Sequence, residues 1–154
     1  MPLTKVPLSQ VDNTSPAFSA FINTGSQSLT NNTFNKVLCQ GEKFDTNGNY
    51  DNATNYRFQP TVPGYYQIDA AAALSGSLTQ GLATIYKNGT EFKRGSVSTV
   101  TSAVTYMGVN VSALVFMNGS TDYLEFYVYP AGTGLTITGG AANAYFQGFL
   151  ARSA

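Results

Sequence analysis

Residues 82–95 read LATIYKNGTEFKRG, two short runs of strand-forming residues on either side of Asn88-Gly89. A two-residue hairpin turn of type I′ needs a positive φ at both central residues, and Asn-Gly accepts this conformation readily. A second pair, Asn118-Gly119, stands between the runs 109–117 and 122–129. The sequence therefore predicts two antiparallel hairpins, and antiparallel pairing decides the fold class.

The same pattern of short apolar runs, broken by Gly and Asn about every 8–12 residues, continues from Pro16 onward. The predicted strands are 17–22, 33–38, 65–73, 82–87, 91–95, 109–117, 122–129, 135–138 and 144–152. Helix patterns are nearly missing, since the best candidate, 70–74, continues the alternation before it. We expect an all-β antiparallel sandwich or barrel of about ten strands in one domain, 16–154, with a short extended N-terminal arm, 1–15.

The amino-acid composition argues against several classes of functional site and partner. The chain of 154 residues has no His, one Cys and 10% charged residues, against about 25% in an average domain. Without His it has no Ser-His-Asp triad, no Cys-His pair and no imidazole metal site. A formal net charge of zero argues against a nucleic-acid groove, and no apolar run reaches the roughly 18 residues of a membrane span. We expect no enzymatic activity, no cofactor, no nucleic-acid partner and no membrane insertion.

Tyrosines on the expected solvent side of two strands indicate a further buried surface. Tyr127 and Tyr129 share one face of a predicted strand with Tyr123, opposite an apolar face, and Tyr145 shares a face with Phe149. A jelly roll or barrel could bury part of both faces. Alternatively, the tyrosines could form a subunit interface, where the ring supplies apolar area and the hydroxyl bonds a partner.

Several motifs together resemble the C1q-like domain of the C1q/TNF jelly-roll superfamily. They lie, in the family's order, at 16–20 (PAFSA), 34–37 (FNKV), within 49–66 (NYDNATNYRFQPTVPGYY), at 87–89 (KNG) and at 146–150 (FQGFL). The usual Gly-Asp before the penultimate strand is replaced here by Ser120-Thr121-Asp122. The resemblance covers nearly all of the chain except the arm.

The resemblance implies a ten-strand antiparallel jelly-roll sandwich that assembles as a tight homotrimer. It also implies that the first, last and neighbouring strands line the threefold axis. The residues expected at this trimer interface are Phe18, Tyr65, Tyr127, Tyr129, Tyr145 and Phe149. Which aromatic face lies on the axis is left open by the sequence.

The arm has a resemblance of its own. Residues 1–6, through Leu3-Thr4-Lys5-Val6, are similar to the opening of bacteriophage tail fibre and tailspike proteins, which attach to the virion by their N-terminus. This likeness implies a docking arm formed by Leu3, Thr4, Lys5 and Val6, with other virion proteins as partners. The single Cys39 agrees with assembly in a reducing host cytoplasm. It is interpreted as a small buried hydrophobe rather than a nucleophile.

One loop offers oxygen ligands at alternating positions, with Gly48 for the turn. A calcium site would use Asp45, Asn47, Asn49 and Asp51, since carboxylate and amide oxygens suit this ion. The run lacks the bidentate Glu expected at its twelfth position, where Tyr56 stands. The alternative interpretation is that these side chains make Asx turns with their own backbone.

Three stretches rich in Gly, Ser and Thr, 75–81, 95–103 and 130–142, are predicted to be loops. Loops on a rigid β scaffold often carry binding function. Small polar residues with nearby Tyr suit glycans, through hydroxyl hydrogen bonds and aromatic stacking. The alternative is that the stretches are solubilising connections.

The leading hypothesis is a non-enzymatic phage virion surface protein, a trimeric C1q-like domain attached by its arm and displayed for adhesion to a host receptor or glycan. The chain of 154 residues has no shaft, which leaves a capsid decoration or cement protein as a second hypothesis. A soluble C1q-like recognition protein unrelated to phage is the third.

Overall fold

The structure, a computed structural model, describes residues 15–23 and 25–154. Its ten strands are β1 Ala17–Phe21, β2 Ser26–Ser28, β3 Asn35–Lys36, β4 Gly41–Asp45, β5 Tyr50–Asp51, β6 Arg57–Phe58, β7 Gly64–Lys87, β8 Thr90–Met117, β9 Leu124–Thr138 and β10 Ala144–Ser153. All of their pairings are antiparallel, which confirms the predicted class. No helix occurs in the described residues, hence none that could cross a membrane.

Two long strands belong to two sheets at once. β7 pairs with β10 over 64–72 and then with β9 over 74–87, while β8 follows β7 along both stretches. The first sheet therefore has the order β4-β1-β10-β7-β8. The second contains β8, β7 and β9, with β2, β3 and β6 on the other side of β9 and β5 next to β6. The result is a sandwich whose sheets are joined by strands that bend from one to the other.

The space between the sheets is filled by the inward side chains of both. Phe18 of β1 stacks on Phe58 of β6 with ring centroids 4.2 Å apart, and Phe126 of β9 lies 6.2 Å from Phe146 of β10. Each pair joins one sheet to the other. Burying a Phe contributes about 1.5–3 kcal/mol, so these rings hold the two layers together.

The three stretches predicted to be loops are mostly strand, which corrects that prediction. Residues 75–81 lie in β7, 95–103 in β8 and the first part of 130–142 in β9. They lie where these strands bend between the sheets, and their small residues permit the bend. Gly132 shows why: its φ is +145°, and a Cβ there would collide with the Ser77 carbonyl oxygen.

The two Asn-Gly pairs behave differently. Asn88 and Gly89 have φ of 54° and 78° and join β7 to β8 as the predicted two-residue hairpin. The hairpin predicted at Asn118-Gly119 is wrong, because β8 ends in the first sheet and β9 begins in the second. The Asn118 Oδ1 atom accepts hydrogen bonds of 3.0 Å from the backbone N–H groups of residues 120–122. This side chain therefore shapes a turn that crosses between the sheets.

Candidate functional site

The outer face of the first sheet carries most of the exposed apolar side chains. Among the described residues, eight large hydrophobic side chains are exposed, and six lie on this face. We call these six the apolar face: Phe44, Tyr65, Tyr106, Leu114, Phe116 and Phe149. Leu114 is 60% exposed and Phe149 is 50% exposed. Large contiguous apolar patches are rare on the surfaces of monomeric proteins, so this face is the candidate interaction surface.

Strand register places these side chains next to one another. Phe149 of β10 pairs with Gln67 of β7, which in turn pairs with Leu114 of β8. Two residues further along, Tyr65 lies beside Phe116 with ring centroids 5.4 Å apart. Because strand residues alternate between the two faces, the same strands bury their other side chains in the core.

A polar row crosses the middle of the apolar face. It runs over four strands through Ser19, Gln147, Asp69 and Ser112. The Ser19 hydroxyl donates to Gln147 Oε1 at 3.4 Å, and the Gln67 amide donates to Ser112 Oγ at 2.8 Å. Asp69 supplies the charge of this row. The face thus combines apolar area with a polar strip, as protein interfaces do.

Two depressions lie on the same face. One, of about 370 Å³, has small residues in its lining, with two tyrosines: Ala71, Ala73, Gly108, Tyr106 and Tyr145. The other, of about 510 Å³, lies among Tyr65, Leu114, Phe116 and residues 151–154. The first lining also includes the polar side chains of Asn110 and Asn143, and the second is mainly apolar but contains Arg152.

Three of the six predicted interface residues are brought together here. Tyr65, Tyr145 and Phe149 all point outward from the first sheet. Sequence reasoning missed Leu114 and Phe116. A signal for them existed, since the outward positions of 109–117 change from polar residues to these two apolar ones.

The other three predicted interface residues lie elsewhere. Phe18 is 1% exposed and is enclosed between the sheets, so the prediction for this residue is corrected: its ring cannot reach a second subunit. Tyr127 and Tyr129 lie on the outer face of the second sheet, on the opposite side of the sandwich from the apolar face. One flat interface cannot contain both groups.

Four aromatic rings form a continuous row on the outer face of the second sheet. Tyr129 lies 5.1 Å from Phe34, Phe34 lies 5.8 Å from Tyr86, and Tyr86 lies 4.2 Å from Tyr127, measured between ring centroids. All four residues are half-buried. We call them the aromatic row.

Two ion pairs flank the aromatic row. Lys36 pairs with the buried Glu125, and its ammonium lies 5.9 Å from the Tyr127 ring. On the β8 side, Arg94 pairs with Glu91 through two hydrogen bonds of 2.9 and 2.7 Å. Burial, reinforced by the nearby Glu125 carboxylate, raises the pKa of the Tyr127 phenol to about 12. This hydroxyl is therefore a neutral hydrogen-bond donor at physiological pH.

The candidate calcium ligands make turn contacts. Asp45 accepts hydrogen bonds from the backbone N–H groups of Asn47 and Tyr50 at 3.3 and 2.7 Å, as the Asx-turn interpretation predicts. Hydrogen bonds from the backbone of Thr54 and its neighbours lower the pKa of Asp51 to about 2. Asn49 is buried and accepts from the backbone N–H of Thr61 at 3.4 Å, and Asn47 accepts from the Thr46 hydroxyl. Within the described ranges, no three acidic, His or Cys side chains are grouped closely enough to hold a metal.

Cys39 lies in the core. Burial raises the pKa of its thiol to about 12, so at neutral pH it is not the thiolate that nucleophilic chemistry needs. The Tyr50 hydroxyl donates to the Cys39 carbonyl oxygen at 3.3 Å. The residues of the predicted docking arm, Leu3, Thr4, Lys5 and Val6, lie outside the described residues.

Comparison with known proteins identifies the architecture. No protein-family model and no curated protein matches the sequence. In solved structures, murine APRIL at pH 8.0 superposes with a TM-score of 0.67 and 7% identity, covering 88% of this chain and 98% of that one. Eiger TNF from S. frugiperda superposes with a TM-score of 0.70 and 9% identity, covering 92% of this chain and 96% of that one. At such identities the likeness shows the fold alone, which is a TNF-like jelly roll.

Proposed function

We propose that this chain is a non-enzymatic, homotrimeric virion surface protein of a bacteriophage. In this proposal residues 1–15 attach it to other virion proteins, and the jelly roll is displayed for adhesion to the host surface. The TNF-like jelly-roll fold supports a receptor-binding type of domain. The resemblance of Leu3-Thr4-Lys5-Val6 to phage fibre openings supports the virion attachment.

The apolar face is the observation that supports assembly into a trimer. Leu114 and Phe149, half or more exposed, lie on either side of Gln67 in one row of the first sheet. Removing apolar surface from water is favourable by about 25 cal/mol per Å². Covering this face with a second subunit therefore supplies the driving force for assembly.

A ring of three subunits also needs a second, different surface on each subunit, because head-to-tail contacts close a cyclic oligomer. The remaining two exposed large hydrophobic residues of the described chain, Phe92 and Val97, lie on the first half of β8. β8 is bonded on one side only, to β7. We propose that this edge of one subunit packs on the apolar face of the next.

The first test is the oligomeric state. Light scattering on the full chain should give about 49 kDa, three times 16.4 kDa, at micromolar concentration. Leu114→Asp should yield folded monomers, because it places a charge within the covered apolar face. The matched control is Thr54→Lys, an exposed turn position, and should remain a trimer. A wild-type monomer would overturn the trimer.

The second test addresses the virion. Particles made with a variant lacking residues 1–15 should contain none of this protein, although the truncated chain still forms trimers. Purified wild-type trimer should bind host cells and compete with infection. Incorporation of the truncated chain would refute the docking arm.

A capsid decoration protein would use the same apolar face and the same arm, and the adhesion assay separates the two roles. Decoration predicts that the trimer does not bind cells, and that particles lacking it stay infectious but break more easily on heating. A soluble recognition protein unrelated to phage would appear in no particle.

A further inference from the structure

The four residues of the aromatic row lie on the opposite side of the sandwich from the apolar face. None of them is among the residues proposed at the trimer contact, although Arg94 beside the row lies between Phe92 and Val97 on β8. We infer that the aromatic row is a binding surface for a neutral saccharide. The residues that select the sugar line a hollow beside Phe34 and Tyr129. This inference rests on the proposed adhesion and gives it a contact site.

The hollow combines the two kinds of contact that a sugar ring uses. Its lining consists of two aromatic rings, one buried aliphatic side chain, one amide and one guanidinium: Phe34, Tyr129, Leu82, Gln80 and Arg94. Ring faces pack against the C–H groups of a pyranose. The amide and the guanidinium donate to hydroxyl oxygens, and the amide oxygen accepts from hydroxyl groups.

The size of the hollow limits what can enter it. Its volume is about 250 Å³, which is below the roughly 300–1,000 Å³ of sites for drug-sized ligands. An α-helix with its side chains is about 10–12 Å across and would not fit. The hollow therefore suits a single ring, with further units of a longer chain lying along Tyr86 and Tyr127.

The charges around the row favour a neutral ligand. Arg94 is held by both of its hydrogen bonds to Glu91, and Lys36 is paired with Glu125. Each cation is thus balanced by a carboxylate, and a sugar acid would gain little net attraction. Hydroxyl groups can still bond to these ion pairs, because an ionised partner strengthens a hydrogen bond.

The row is also held in place before any ligand arrives. Each ring contacts at least one other, and the Lys36 ammonium lies over the Tyr127 ring, 5.9 Å from its centroid. Half-buried tyrosines have little rotamer freedom to lose on binding, so ordering them costs little binding free energy. A trimer would present three such rows, which raises the avidity for a glycan-covered surface.

Binding can be measured with the methyl glycosides of glucose, galactose, mannose and N-acetylglucosamine, and with methyl glucuronide as the charged comparison. The full chain, labelled with ¹³C at Tyr and Phe, would be titrated by NMR. We expect at least one neutral glycoside to shift the Phe34 and Tyr129 ring signals, and methyl glucuronide to bind no better than methyl glucoside. Tyr129→Ser and Gln80→Ala should each weaken binding about tenfold, a change of about 1.4 kcal/mol. The matched control Gln40→Ala, at a half-buried position outside the hollow, should bind like the wild type.

The outcomes separate this site from the proposed function. If wild type and the Gln80→Ala variant bind host cells equally well and no glycoside shifts the row, the saccharide site is refuted and the adhesion stands. If glycosides shift the row but the trimer does not bind cells, the site stands and the adhesion fails. Glycoside binding that shifts only signals of the apolar face would also overturn the inference.

Discussion

The two outer faces of the sandwich contain similar residues and differ in what surrounds them. On the first sheet, Leu114 and Phe149 are exposed to water, and a narrow polar row crosses the strands two residues away from them. On the second sheet, the rings of the aromatic row cover one another and are flanked by Lys36 and Arg94. A high content of Tyr and Phe therefore does not identify an interface. What separates the two faces is how far the rings are covered by their own chain: the four rings of the aromatic row are half-buried, whereas Tyr65 and Phe116 stay exposed although they contact each other.

The largest effect should come from a residue that belongs to neither face. Phe18→Ala should lower the free energy of unfolding by about 3–5 kcal/mol, because it removes a ring from the core that joins the sheets. Chemical denaturation of the monomeric Leu114→Asp background measures this directly. The loss should be independent of protein concentration. A loss that appears in the trimer-forming wild-type background but not in the Leu114→Asp background would place Phe18 at the interface.

The next effect distinguishes the two faces. Phe149→Asp should weaken the trimer by about 2–4 kcal/mol per contact, since it buries an unpaired carboxylate. Tyr129→Asp is the matched change on the second sheet, and it should leave the trimer intact. Sedimentation over a concentration series would measure both. If Tyr129→Asp dissociates the trimer and Phe149→Asp does not, the subunit contact lies on the aromatic row and not on the apolar face.

A smaller effect tests the ion pair under the aromatic row. Lys36→Met should cost about 1–3 kcal/mol of stability, because it leaves the buried Glu125 carboxylate without its charged partner. Adding Glu125→Gln should recover part of this loss of stability, whereas the losses from two independent sites would sum. Thermal unfolding of the two single variants and the double variant completes the cycle. The oligomeric state should not change in any of them.

The smallest effect is a pH dependence at the edge of the second sheet. The folded-state pKa of Asp51 is lowered from 3.8 to about 2 by backbone hydrogen bonds. Its contribution to stability is therefore complete above pH 3.8 and is lost as the pH falls toward 2. Asp51→Asn should lie below the wild type at pH 6, and the gap should close between pH 4 and 2. A gap that stays constant over this range would show that the carboxylate charge is not the cause.

Local chemistry predicted the class of fold but not its longest elements. The Asn88-Gly89 hairpin follows from two residues and their φ preferences. Asn118-Gly119 carries the same signal, yet the strands on its two sides belong to different sheets, a fact that depends on pairings far along the chain. The Gly-rich stretches are predicted to be loops because a bend inside a strand and a loop between strands need the same small residues. Local sequence cannot distinguish the two.

The candidate sites show a similar limit. Alternation along single strands was enough to place Tyr145 and Phe149 on one face. It could not show that Phe18 points inward, or that Lys36 covers Tyr127, because both depend on which distant strand lies alongside. The short strands β2, β5 and β6 have two or three residues each, too few to show any periodicity.

The pairing of β1 with β10 has a consequence for synthesis. Phe18 of β1 is in register with Gly148 of β10, so the first described strand stays without this neighbour until the last one has left the ribosome. The centre of the first sheet, which contains much of the apolar face, therefore forms only after translation has passed residue 149. Contacts this distant in sequence make folding slow. A nascent chain that lacks β10 cannot form the complete face, so we expect trimers to form from subunits in which β10 has already paired with β1 and β7.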